Sequence, residues 1–217
     1  MLEPTPTAVL FPGQGSQQPG MRALVARVRP DLLEQVQPLV GADPFERIEE
    51  STRFAQPAIF CASLAGWESV RGLLDPIAFA GHALGELTAL VAAGALDERD
   101  GLRLVALRGE LMAASGEEDA VVPFREALAE IEFRTPAAPV YSCATALPFA
   151  DPREELAAAL VRPVRWRETM TALDGDGVQA YVDAGPGRVL AKLAPRCVPG
   201  VGAASFEMLL GGDRAAA

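Results

Sequence analysis

The stretch Pro76-Ile77-Ala78-Phe79-Ala80-Gly81-His82-Ala83-Leu84-Gly85-Glu86 decides the fold. A short apolar run stops at a glycine, one exposed step follows, and a second glycine opens a segment with helical spacing. Five apolar residues bounded by turn signals read as a buried strand. Gly81-His82-Ala83-Leu84-Gly85 then has the G-x-S-x-G frame of a nucleophile elbow, a sharp strand-to-helix turn that lifts one side chain above a sheet. The amide after the central residue and the new helix N-terminus can face an oxyanion. The central residue here is Ala83, which has no nucleophilic atom. A glycine-bounded turn in any α/β protein is the plainer reading of the pentapeptide.

Outward from this stretch the pattern repeats. Residues 7–11 read as another buried strand ending at Pro12-Gly13, followed by the glycine-rich segment Gly13-Gln14-Gly15-Ser16-Gln17 and a helix over residues 21–28. The segment lacks the third glycine of a dinucleotide fingerprint and the Gly-Lys-Ser/Thr of a P-loop. Pro30, Pro38 and Pro44 are expected to cut the next region into short pieces. Apolar residues at spacings of three and four predict a long helix over 56–74. Helices are expected over 85–93 and 98–114, an acidic loop over 115–122, and a helix over 124–131. A strand at 139–142 and helical pieces at 152–161 and 166–173 come next, then a strand at 178–183 and a helix over 188–194. Alternating strands and helices predict a short parallel sheet covered on both faces.

Composition narrows the function classes. The 217 residues carry 19 basic and 29 acidic side chains, a net charge of −10, which argues against nonspecific nucleic-acid binding. The length suits a single domain over residues 1–210 with a disordered tail at 211–217. No apolar stretch is long enough to span a bilayer, no signal peptide is evident, and three cysteines without zinc-type spacing read as reduced thiols. These features predict a cytoplasmic protein with no metal and no cofactor. Residues 162–196 concentrate Arg162, Arg165, Arg167, Arg188, Lys192 and Arg196, either a solvated helix face or a patch for an acidic partner.

Several segments together resemble a known family. Phe11-Pro12-Gly13-Gln14-Gly15-Ser16-Gln17, followed some seventy residues later by Gly81-His82-Ala83-Leu84-Gly85-Glu86, is similar to the malonyl-CoA:acyl carrier protein transacylases and the acyltransferase domains of polyketide synthases. Gln56-Pro57-Ala58, Arg108-Gly109-Glu110-Leu111-Met112, Pro139-Val140-Tyr141-Ser142, Pro163-Val164-Arg165-Trp166 and Asp183-Ala184-Gly185-Pro186-Gly187 continue the likeness in the family's order. The resemblance implies an α/β core like that of α/β-hydrolases, with malonyl-CoA or another acyl-CoA, an acyl carrier protein or a ketosynthase as partners. It implies an oxyanion hole from the amides of Gln14 and Leu84, and places Gln56 and His82 beside the substrate. Arg108 would grip a free carboxylate by a bidentate pair; the plainer alternative is an ion pair of Arg108 with Glu110 or Glu98.

The departures weigh more. The family's nucleophilic serine falls on Ala83 and its catalytic histidine on Arg125, which cannot accept a proton. The glutamine expected to orient that histidine falls near Ala159. About eighty residues of a small ferredoxin-like subdomain are expected between Met112 and Pro123, where this chain has ten, at 113–122. Three coincident changes point to natural degeneration rather than one trapping substitution. The resulting expectation is an inactive acyltransferase-like protein of fatty-acid or polyketide biosynthesis that serves as a binding or scaffolding partner. The alternative is an active acyltransferase with a non-standard nucleophile, for which Cys61, Cys143 and Cys197 are the thiols available. Cys61 and Cys143 read as core thiols.

Overall fold

The computed structural model describes residues 5–212, and the expected tail beyond Gly212 lies outside them. Its centre is strand β1, Thr7–Phe11, every residue of which is buried. β2 (Pro76–Gly81) lies parallel to it on one side and β5 (Ala180–Asp183) on the other, with Val9 opposite both Phe79 and Val182. β3 (Val140–Ser142) extends the sheet beyond β2, and β6 (Gly202–Ser205) extends it beyond β5. The order is β4-β3-β2-β1-β5-β6.

The sheet corrects the expectation of a purely parallel one. β4 (Leu147–Pro148) folds back antiparallel on β3 after a turn in which Ala146 takes φ 61°. Two exposed residues give no alternation to read, and Pro148 removes one ladder donor. β6 was not anticipated either, because Gly202-Ala203-Ala204 has little strand propensity; parallel pairing with β5 holds it.

Helices cover both faces. α1 (Met21–Val28) matches its predicted span, and α2 (Pro30–Val40) runs through Pro38, which sits in its last turn rather than cutting it. α3 (Thr52–Val70) is buried on nearly all sides and continues as a single 3₁₀ turn to Leu73. α4 (Gly85–Ala92) follows the elbow. α5 (Glu98–Ala129) replaces the expected acidic loop: it continues through residues 115–122 with a break at Gly116 (φ 82°, ψ −179°). Glu117, Glu118 and Asp119 are exposed, so the local composition read as loop. Ala120, Phe124 and Leu128, spaced by four, are buried and hold the second half of the helix on the core. No separate subdomain stands between Met112 and Pro123. α6 (Pro152–Ala158), α7 (Trp166–Gly175), α8 (Val189–Cys197) and α9 (Phe206–Gly212) complete the chain, so Gly211 and Gly212 belong to a helix.

Two apolar clusters follow from strand alternation. Val9, Phe11 and Phe79 face α1, α3, α4 and α5, whereas Ala8, Leu10, Ala78 and Ala80 face α7 and α8. The carboxyl ends of β1, β2 and β5 therefore meet at one rim, where the segments singled out by sequence come together.

Candidate functional site

The elbow begins where β2 ends. The His82 amide donates to the Phe11 carbonyl at 2.8 Å, which continues the ladder one residue past β2. Ala83 then takes φ 52°, in the left-handed region, and α4 starts two residues later. For a residue with a Cβ this backbone costs roughly 1–2 kcal/mol. The glycines on either side have no room for a side chain: a Cβ on Gly85 would lie 2.1 Å from the Phe11 carbonyl oxygen, and one on Gly81 would lie 2.0 Å from the Gly85 carbonyl carbon. The sharp elbow is thus built and strained as the motif requires, with a methyl group at its tip.

Around that tip the structure gathers most of the residues that the sequence singled out. The loop after β1 carries Gln14, and among the described residues neither its N–H nor that of Leu84 has a hydrogen-bond partner. Gln56, on α3, is fully buried. Its Oε1 accepts from Nη1 of Arg108 at 2.6 Å, and its Nε2 lies 3.3 Å from both Gln14 Oε1 and Met112 Sδ. α5 is pinned beside α3 at this level because the Thr52 hydroxyl donates to the Gly109 carbonyl at 2.8 Å. Arg108, Gln56 and Gln14 therefore form one polar line running toward the loop after β1.

Arg108 is 8% exposed and makes no ion pair among the described residues. This overturns the plainer sequence reading: Glu98 is taken by Arg29 at 2.6 Å, and Glu110 is exposed and unpaired with it. Burial lowers the Arg108 pKa, opposed by the charges of Glu86 and Glu117. A guanidinium nonetheless stays protonated, so a buried positive charge rests here on one neutral hydrogen-bond acceptor.

Glu86, in the first turn of α4, is the residue that sequence reasoning passed over. It is 1% exposed, and its Oε1 accepts from the Cys143 amide at 2.7 Å. Burial pushes its pKa up to about 7, while the Cys143 amide and thiol, the Arg108 charge and Ser142 pull it down. The signal was present in the sequence, since Glu86 closes the elbow motif, but a carboxylate in a first helical turn reads as a solvent-facing dipole partner. Cys143, 1% exposed, packs against the elbow, and burial together with the Glu86 charge pushes its thiol well up. Cys61 is buried in α3 with its thiol raised by burial. Cys197 lies on α8 and packs with the cluster on the other face of the sheet.

The remaining candidates point elsewhere. His82 packs edge-on against Trp166, with centroids 5.4 Å apart, and burial lowers its pKa. The buried Nε1 of Trp166 has no hydrogen-bond partner among the described residues. Arg125 sits half-exposed on α5 and donates to Glu154 Oε2 at 3.3 Å. In the basic segment, Arg165 pairs with Glu168 and Arg167 donates to the Arg196 carbonyl at 3.1 Å. Arg162, Arg188 and Lys192 have no ion pair among the described residues.

Residues 36–146, just over half of the chain, match the acyl transferase domain family. The chain is 28% identical to the polyketide biosynthesis protein ThaF of Burkholderia thailandensis over 281 aligned positions, covering 88% of this chain and 24% of that protein. It therefore spans about a quarter of that relative's length. It is 28% identical to the malonyl CoA-acyl carrier protein transacylase of Haemophilus influenzae over 287 positions, with 88% of this chain and 92% of that one covered. Both alignments are longer than the chain's own 217 residues, so these relatives carry residues that face gaps here. Among solved structures, a type II polyketide synthase acyl carrier protein in complex with its malonyl-transacylase superposes with a TM-score of 0.82 at 26% identity, covering 93% of this chain and 96% of that one. No helix among the described residues is long and apolar enough to cross a membrane.

Proposed function

Because this chain belongs to the acyl transferase domain family, we propose that it keeps the acyl-transfer scaffold as a binding or scaffolding protein of fatty-acid or polyketide biosynthesis and transfers no acyl group. The observation that carries this reading is Ala83: the strained elbow is intact, yet its tip holds no atom able to attack a thioester. Without a nucleophile no covalent acyl-enzyme forms, and ping-pong transfer requires one. The base is missing in the same way. Arg125 cannot accept a proton and turns toward Glu154, while His82, the single histidine, is held against Trp166. Loss of nucleophile or base costs on the order of a million-fold in the best-studied triad, leaving about a thousand-fold over water from the oxyanion site and binding.

Binding groups survive where chemistry does not. The free N–H groups of Gln14 and Leu84 suit a thioester oxygen, and Arg108, held by Gln56, suits the carboxylate of a malonyl-type group on coenzyme A. The gap in the alignments fits loss of a small subdomain at residues 113–122. The relatives named above supply the partner class, an acyl carrier protein or a ketosynthase, and the cations of α7 and α8 are the surface on this acidic chain suited to such a partner. Transfer through Cys143 is disfavoured by its burial and raised thiol pKa.

The test is incubation with malonyl-CoA followed by intact-mass measurement, alongside titration with carrier protein and ketosynthase from the same organism. Unmodified protein and a micromolar complex are expected. A covalent malonyl adduct overturns the inactive reading, and absence of any complex overturns the scaffolding one.

A further inference from the structure

We propose that Glu86 sets how strongly Arg108 holds a ligand carboxylate, acting as the arginine's counter-charge while the site is empty and taking up a proton from solvent when a carboxylate arrives. The inference rests on the carboxylate-binding role proposed above for Arg108.

The geometry gives three reasons. Arg108 and Glu86 are both buried, at 8% and 1% exposure, on adjacent elements α5 and α4, and each feels the other's charge. Neither has a direct ionic partner among the described residues: Arg108 bonds the neutral Gln56, and Glu86 is held by the Cys143 amide, with the Cys143 thiol and Ser142 beside it. A second carboxylate in this low-dielectric space would set two negative charges against one positive, and like charges at close range do not both stay ionised. Protonating Glu86 keeps the local charge balanced, and its Oε1 still accepts from the Cys143 amide.

The groups facing Glu86 are few. Arg108 approaches from α5, while Ser142 and the Cys143 amide and thiol approach from the end of β3. Of these, the arginine is permanently charged and the thiol is held neutral by burial. Glu117 acts on Arg108 from beyond the Gly116 break. With Glu86 titrating near pH 7, a carboxylate that binds only the protonated form should hold about tenfold more tightly at pH 6 than at pH 8. Glu86 touches neither the ligand nor the elbow tip in this scheme; it is a positioning residue acting through Arg108.

Calorimetry of malonyl-CoA binding, in two buffers of different ionisation heat at pH 7.5, measures the proton uptake. Acetyl-CoA is the control, since it shares the coenzyme's phosphates and lacks the carboxylate. Malonyl-CoA should take up a fraction of a proton beyond acetyl-CoA, and Glu86→Gln should abolish that difference. The same variant, neutral at every pH, should bind at pH 8 with the affinity that the unaltered protein shows at pH 6. Malonyl-CoA binding with the same proton count as acetyl-CoA overturns this proposal and leaves the carboxylate role of Arg108 standing. Failure of malonyl-CoA to bind at all overturns both.

Discussion

Replacing Gly185 by alanine would set a methyl carbon 2.0 Å from both Cγ and Cδ of Pro12, and 3.3 Å from the Ser63 hydroxyl. Ordinary carbon–carbon contact is about 3.5–4.0 Å, so the loops after β1 and β5 must part by well over an ångström. Forced overpacking of this kind costs about 1–3 kcal/mol, occasionally more, and the upper end applies because the obstacle is a rigid ring on a buried loop. The Gly185 backbone is not in the left-handed region, so collision is the whole of the effect. Removing the ring should therefore relieve it: Pro12→Ala combined with Gly185→Ala should recover about half or more of the loss, a coupling on the order of 1–2 kcal/mol in a double-mutant cycle. Urea unfolding followed by tryptophan fluorescence measures all four proteins. A neutral Gly185→Ala, or a double variant no better than the sum of the singles, would refute the claim that these two loops clasp each other beside the elbow.

Other outcomes follow from the same site. Ala83→Ser should leave stability within about 0.5 kcal/mol and form no acyl adduct with malonyl-CoA by intact mass; restored turnover would show that a base exists which the placement of Arg125 denies. Ala83→Gly should raise stability by about 0.5–1 kcal/mol, the relieved left-handed strain less the entropy that glycine adds to the unfolded chain, read as a higher urea midpoint. Stability should fall as pH rises, against the usual trend. Glu86 titrates at about 7 when folded and 4.5 as the unperturbed group, so its contribution is complete below pH 4.5 and is lost through pH 7, about 3 kcal/mol in all. Asp183, raised by burial to about 6 from 3.8 despite three amide donors, adds the same sign over a lower window. Unfolding curves between pH 4.5 and 8 should show the decline, and Glu86→Gln should flatten its upper part.

The legible parts of this protein are those where one local signal suffices. Buried strands announced themselves as apolar runs ending at glycine, which located β1, β2 and β5 and, with them, the rim where the site lies. Ala83 could be placed at the tip of the strand-to-helix turn from its position between two glycines. What resisted was set by tertiary contact. Glu117 to Asp119 looked like loop because they are charged and exposed, while the helix is fixed by Phe124 and Leu128 further on. β6 exists only because β5 offers a parallel edge. Glu86 and the Arg108–Gln56 pair needed three dimensions: the two residues of that pair are fifty-two positions apart, and Glu86 meets Cys143 across fifty-seven.

The break in α5 at Gly116 is a natural seam in the scaffold. A Cβ on Gly116 would touch nothing within 4 Å, the residues around it are exposed, and each half-helix is anchored by its own buried positions. Such a seam tolerates insertion, since lengthening a loop costs only about 0.6 kcal/mol per doubling. A foreign module spliced between Ser115 and Glu117 would grow from the same helix that carries Arg108, two turns further on, so this scaffold offers a ready socket for an added domain.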